Sequence, residues 1–195
     1  MNPQIRYLIL ALTDRCNLKC STCYRGDSLS LEDMSGDTIR QSIHIAATSA
    51  PSFHLQLTGG EPPLVPSAIE TAVKAVQKTG RCQSIGIQTN ATWLTPSIFS
   101  LFQAHQLKVG VSLDGPPEIH EQQRGMAAET LRGLQRLENA GISFGVTRNL
   151  FVMPAALRAW QWIRKEIYFL AARPWEIRHF QPAMFGNPDS KRCSC

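Results

Sequence analysis

Three cysteines crowd into eight residues of this chain, in the stretch Cys16-Asn-Leu-Lys-Cys20-Ser-Thr-Cys23. Six cysteines in 195 residues are too few for a secreted disulfide scaffold. A cluster at this spacing is the pattern of metal binding or redox chemistry. Three thiolates close neither a tetrahedral zinc site nor the four-ligand set of an iron–sulfur cluster. Either a distant His or Cys completes a zinc knuckle, or a cluster keeps one metal corner open for another ligand. The second arrangement is the reactive one. Cys82 stands apart, and the terminal pair Cys193 and Cys195 cannot hold a cluster alone.

Four further segments carry polar or conformationally permissive residues: Gly59-Gly60-Glu61-Pro62, Gln88-Thr89-Asn90-Ala91, Ser112-Leu113-Asp114-Gly115-Pro116 with His120 and Arg124 following, and Gln181-Pro182-Ala183-Met184. Glycines let a backbone approach a ligand with no side chain in the way. A carboxylate and backbone carbonyls accept from an ammonium group. His120 reads as a loop-packing residue and is given no role.

The C-x3-C-x2-C spacing resembles the signature of the radical S-adenosylmethionine enzymes. In that family the three cysteines hold a [4Fe–4S] cluster, and S-adenosylmethionine chelates the fourth iron through its amino and carboxylate groups. One electron from the cluster cleaves the sulfonium, and the resulting 5′-deoxyadenosyl radical takes hydrogen from the substrate. The resemblance therefore implies that Cys16, Cys20 and Cys23 are cluster ligands. It places Gly59, Gly60 and Glu61 at the methionine amino group, in the family's GGE motif. Gln88-Thr89-Asn90 is similar to a segment that normally reads QTNG, with Ala91 in the glycine's place, and Asn90 joins the S-adenosylmethionine contacts. The segment from Ser112 to Arg124 is similar to the SLDGP…H…R of the peptide-modifying branch, which includes the anaerobic sulfatase-maturing enzymes. There Ser112 would reach the ribose and Arg124 the carboxylate, a pairing suited to a guanidinium. Thr22 stands where relatives carry an aromatic against the adenine, with Tyr24 beside it, and Met184 would border the adenine from the far end. A peptide or protein substrate and a reduced donor such as flavodoxin or ferredoxin follow from the same resemblance. The alternatives are a small-molecule or cofactor-maturing enzyme and a truncated, non-catalytic iron–sulfur module.

The elements that must position these residues alternate. Ile5 to Leu12 is an almost wholly apolar run, suited to a strand buried on both faces. Thr38 to Ala50 has helical periodicity, Phe53 to Thr58 is strand, and Ser67 with Glu70 reads as a capping box opening a helix that stops at Gly80. Ile85 to Thr89 is strand, and Thr95-Pro96 opens a helix. Lys108 to Leu113 is strand, and Asp114 to Gly125 is a long charged loop. Ala127 to Ala140 is helix, Ile142 to Phe151 strand, Pro154 to Ala172 helix and Trp175 to Gln181 strand. Strict alternation implies a parallel sheet with right-handed crossovers, either doubly wound or a barrel segment. Every motif falls at the carboxyl end of a strand, the face where such folds build their sites. Together with the resemblance this selects an α/β, partial (β/α)6 TIM-like barrel lacking its last helix and any auxiliary cluster domain. Residues 1–195 are expected to form one such core, with 182–195 a short C-terminal tail read as truncated.

Composition narrows the partners. The chain is 43% hydrophobic, which excludes a disordered protein. No apolar run approaches the roughly 18 residues that span a bilayer, and no secretory leader is evident, so a cytoplasmic protein without a membrane partner is expected. Net charge is +5, most of it in residues 151–195, which hold 7 basic and 3 acidic side chains. That stretch also holds Trp160, Trp162 and Trp175. It reads as a solvated basic helix face rather than a nucleic-acid surface.

Overall fold

A computed structural model of the chain describes residues 4–25 and 31–147. Leucine-, isoleucine- and valine-rich runs supply five strands: β1 (Tyr7–Ala11), β2 (Phe53–Thr58), β3 (Cys82–Thr89), β4 (Lys108–Ser112) and β5 (Phe144–Thr147). They form one sheet, all parallel, in the order β1-β2-β3-β4-β5. Helices α1 (Gly36–Ser49), α2 (Pro66–Thr79), α3 (Pro96–Ala104), α4 (Pro117–Gln123) and α5 (Ala127–Asn139) fill the crossovers, and Pro62–Leu64 is a short 3₁₀ turn. Right-handed crossovers between consecutive neighbours put the helices on one face, the topology of a barrel wall. A doubly wound sheet would reverse its strand order. The α/β partial-barrel expectation is therefore met. The helix at 154–172, the strand at 175–181, the tail at 182–195, Met184, the terminal cysteines and Trp160, Trp162 and Trp175 lie outside the described residues.

Alternation along each strand separates two chemistries. Leu55 and Leu57 of β2, Ile85 and Ile87 of β3, and Val109 and Val111 of β4 face the helices. They pack with Ile39, Ile43, Val73, Val76, Phe102 and Leu134 into one core. The opposite parity, the concave face, is polar: His54, Gln56, Gln88, Ser112 and Thr147. Nδ1 of His54 lies 2.7 Å from Ser84 Oγ, Gln88 Nε2 donates to Ser112 Oγ at 3.0 Å, and Thr147 Oγ1 donates to Gln88 Oε1 at 3.3 Å. Gly86 and Gly110 share this face because side chains lie across them: a Cβ on Gly86 would meet Gln56 Oε1, and one on Gly110 would meet Gln88 Oε1 at 2.5 Å.

Four expectations need correcting. β1 is not buried on both faces: Tyr7 and Ile9 are 56% and 58% exposed. It is the sheet's edge, and its concave side is largely open, with the Tyr7 ring against that of His54 at 4.7 Å between centroids. The capping box is absent. Pro66, with its pre-set φ, starts α2 two residues earlier, Val65 is the N-cap without a side-chain bond, and Glu70 instead pairs with Lys74 at 2.9 Å. α1 begins at Gly36, because Ser35 accepts from Thr38 N and so caps it two residues before the expected start. The stretch after β4 is not all loop. It contains α4, a seven-residue helix opened by Pro117 that turns His120 inward. Among the described residues no helix is long and apolar enough to cross a membrane.

Candidate functional site

The cysteine segment leaves the carboxyl end of β1 and is fastened at every turn. Thr13 Oγ1 donates to Asp33 Oδ1 at 2.6 Å, and Arg15 Nε donates to the same carboxylate at 3.0 Å. Those donors hold the Asp33 carboxyl below its usual range, the Thr13 bond first and Arg15 second. Leu18 is buried and lines the cleft beside the cysteines. Ser21 N donates to Gln123 O at 2.8 Å, which ties the loop to the end of α4. Asn17, between the first two cysteines, gives Nδ2 to Thr92 Oγ1 at 2.7 Å and takes Asn90 Nδ2 at 2.9 Å.

The glycine segment after β2 lies directly against this loop. Gly60 N donates to Thr13 O at 2.6 Å and Glu61 N donates to Arg15 O at 2.8 Å. Gly59 adopts φ +135°, and a Cβ there would stand 2.5 Å from Thr13 O. The Tyr24 hydroxyl donates to Gly59 O at 2.8 Å, which fixes the aromatic next to the third cysteine.

Glu61 is 1% exposed. One carboxylate oxygen accepts from Thr89 Oγ1, the other from Asn90 N at 2.8 Å. Burial pushes its pKa up to about 7, and the two hydrogen bonds hold it down only in part. Its remaining lone pairs face the cleft, where a carboxylate has capacity for an ammonium. The sign of the pH effect follows. Folding takes up a proton between the usual 4.5 and about 7. The neutral carboxyl therefore favours the fold below about 4.5, and that advantage is lost as pH rises through 7. Glu61→Gln removes this dependence. Chemical denaturation of the cluster-free protein across this range should show the wild type losing on the order of 3 kcal/mol relative to E61Q. Parallel curves for the two proteins would contradict the assignment.

Arg124 follows α4, and its Nε and Nη2 donate to the Asp114 carboxylate at 2.7 and 3.3 Å. Both partners are largely buried. The pairing holds the guanidinium at the cleft wall instead of leaving it on a free loop. Ser112, Asn90 and Thr22 also line the wall. Asn90 spends its amide on Asn17 and Thr92, so the side chain braces the wall.

One open cleft is lined by every described residue assigned to the site from the sequence: Cys16, Cys20, Cys23 and Thr22, with Gly59, Gly60, Glu61, Asn90, Ser112 and Arg124. Cys16 and Cys20 are half-buried and Cys23 is exposed. Burial raises the Cys16 and Cys20 thiols, opposed at Cys16 mainly by the Leu18 N–H and at Cys20 by Arg124.

Sequence reasoning missed Arg25, Thr58 and Asn17. Arg25 lines the cleft, and its buried Nε has no hydrogen-bond acceptor among the described residues, with Asp14 Oδ1 at 3.8 Å. A buried guanidinium N–H in the same cleft as the three cysteines suits an anionic group. Among the described residues, no three His, Cys, Asp or Glu stand close enough together to hold one metal ion. A zinc ion would need its sulfurs at about 2.3 Å from one point. A [4Fe–4S] cluster spreads its thiolates over separate irons, so the donor set and Arg25 fit that group better than a zinc knuckle.

Ala91, in the position of the family's glycine, has φ +61°. Its left-handed backbone is the conformation a glycine adopts without strain. The turn keeps it because the Asn90 and Thr92 bonds hold both sides. Gly133 of α5 abuts this turn, and a Cβ there would run into Ala91 O.

A family model described as the radical SAM superfamily matches residues 10–156. An uncharacterized protein of Methanocaldococcus jannaschii is 33% identical over 151 residues, 73% of this chain and 52% of that protein. A GTP 3′,8-cyclase of Moorella thermoacetica is 36% identical over 115 residues, 57% of this chain and 35% of its own. Native anSMEcpe with bound AdoMet superposes with a TM-score of 0.71 at 21% identity, covering 83% of this chain and 49% of that one. Streptococcus suis SuiB bound to S-adenosylmethionine gives 0.69 at 14%, covering 85% and 38%. At those identities the likeness is one of fold. The chain thus spans about half the length or less of these relatives.

Proposed function

This chain belongs to the radical SAM superfamily, and from that membership we propose that it is the core of an enzyme cleaving S-adenosylmethionine to act on a peptide or protein. Residues 1–195 make up that core. Cys16, Cys20 and Cys23 hold a [4Fe–4S] cluster, and Gly59, Gly60, Glu61, Ser112 and Arg124 seat S-adenosylmethionine, with Thr22, Asn90 and Met184 bordering it. When bound, the pair supplies one-electron cleavage of the sulfonium, which ends in 5′-deoxyadenosine. Around it, Arg124 presents a fixed guanidinium for a carboxylate, and the Gly59–Glu61 turn presents carbonyl and carboxylate acceptors for an ammonium. The observation that carries this reading is the convergence of four segments, distant in sequence, on one cleft.

The substrate class rests on the Ser112–Arg124 segment. In support, anSMEcpe and SuiB are also known bound to peptides, Kp18Cys and SuiA respectively. A second reading, small-molecule maturation, is favoured by the GTP 3′,8-cyclases among the sequence relatives, one of them 27% identical across 94% of this chain. A flavodoxin or ferredoxin is the expected donor, which the test replaces. Anaerobically reconstituted protein given dithionite and S-adenosylmethionine should release 5′-deoxyadenosine. None from fully loaded protein would mean an inert iron–sulfur module. Release stimulated by GTP and not by peptides would move the assignment to the second reading.

A further inference from the structure

His120 is wholly buried, at 0% exposure, on α4. Its two ring nitrogens meet two different elements, the turn after β4 and helix α5. Asp114 N donates to Nδ1 at 3.3 Å, and Nε2 lies 3.3 Å from Thr130 Oγ1 on α5. A backbone N–H can only donate, so Nδ1 carries no proton and Nε2 does. Thr130 Oγ1 gives its single proton to Asn90 O at 3.1 Å, so it must accept from Nε2–H. Every link has one donor and one acceptor, and the direction is fixed from end to end.

The ends of this chain of hydrogen bonds are the residues that shape the cleft. Asp114 carries Arg124, and Arg124 N donates to His120 O at 2.8 Å. Asn90 sends its backbone N–H to Glu61 and its side-chain amide to Asn17 inside the cysteine loop. We propose that His120 is a positioning residue, working as the Nε2–H imidazole, that sets the Arg124 wall of the cleft against the Asn90–Glu61 wall. This rests on the reading that both walls face S-adenosylmethionine. His120 touches no ligand and acts through Asp114 and Thr130. An imidazolium would aim Nδ1–H at the Asp114 N–H and break the first link. Burial lowers the His120 pKa, Arg124 adds to this, and Asp114 and Glu121 oppose it. Thr130, from α5, brings no charge.

Histidine-labelled protein, read by two-bond ¹H–¹⁵N correlation with His120 assigned by its absence in H120N, should show the Nε2–H tautomer unchanged from about pH 8 to about pH 6. Asparagine keeps an acceptor near Nδ1, phenylalanine keeps neither end, and T130V keeps the imidazole but removes the next link. In cluster-reconstituted protein, S-adenosylmethionine should bind about tenfold more weakly to H120F and at least threefold more weakly to T130V, with H120N within about threefold of wild type. If H120F does not fold, T130V and H120N carry the comparison. The Nδ1–H tautomer or an imidazolium in this range overturns the proposal. So does unchanged binding in T130V and in folded H120F. A wild type that binds no S-adenosylmethionine overturns the reading of the site and the positioning role with it, while the tautomer measurement stands by itself.

Discussion

Cys16→Ala is expected to leave anaerobically reconstituted protein without iron–sulfur absorbance. The effect is all-or-none because, among the described residues, no group of three His, Cys, Asp or Glu stands together that could take over as an ion site. In a [4Fe–4S] cluster each of the three thiolates would hold a separate iron, so the other two would not replace the one removed. The thiol at Cys16 is raised mainly by burial, and a ligand must lose its proton before it binds. The Leu18 N–H, 3.5 Å from Cys16 Sγ, favours the thiolate and is fixed by the buried Leu18 side chain. Cys82→Ala is the control. Cys82 opens β3 at the strand's amino end and donates its thiol to Ser84 O, so C82A should load normally. Retained absorbance and iron content in C16A would sink the ligand assignment.

Gly60→Ala should be nearly as damaging by a different route. The added Cβ would collide with Arg15 O and stand 2.6 Å from both the Arg15 carbonyl carbon and Arg25 Nη1. A guanidinium can swing aside, but the Arg15 backbone cannot, because its carbonyl accepts from Glu61 N. Relief requires prising the Gly59–Glu61 turn from the cysteine loop, with loss of the Gly60 N to Thr13 O bond. Overpacking of this kind costs about 3 kcal/mol or more when backbone must move. We expect G60A to melt well below wild type and to lose S-adenosylmethionine binding even where the cluster loads. Gly145→Ala, on β5 with nothing within 4 Å of its Cβ position, should leave the melting temperature nearly unchanged. A G60A protein as stable as G145A would mean that the two loops do not meet as described.

How much of this was legible beforehand depends on the range of the interaction. The cysteine spacing, the Gly59-Gly60-Glu61 turn and the Thr95-Pro96 helix start are local patterns, and each stands where the sequence implied. The braces are not local. Asn17 pairs with Asn90 across 73 positions and with Thr92 across 75, and Thr130 reaches Asn90 across 40. No periodicity encodes a side chain that closes a gap between two loops. His120 illustrates this well: in sequence it is one histidine in a charged stretch, and only the fold shows that α4 turns it inward. The edge position of β1 was hidden for the same reason, since an apolar run does not say how many neighbours a strand will have. Ser67 and Glu70 had the right types for a cap, but Pro66 determined where the helix begins.

The two-sided alternation of the strands has a consequence for how this domain can change. Leu55, Leu57, Ile85 and Ile87 belong to the core, while Gln56 and Gln88, at the intervening positions, do not. Stability and the lining of the concave face are thus written on opposite parities of the same strands. Replacing Gln56 or Gln88 re-surfaces the hollow while leaving the packed layer intact, and replacing Leu55 or Ile87 does the reverse. Such a wall can be re-lined for a new substrate by steps that do not each threaten the fold.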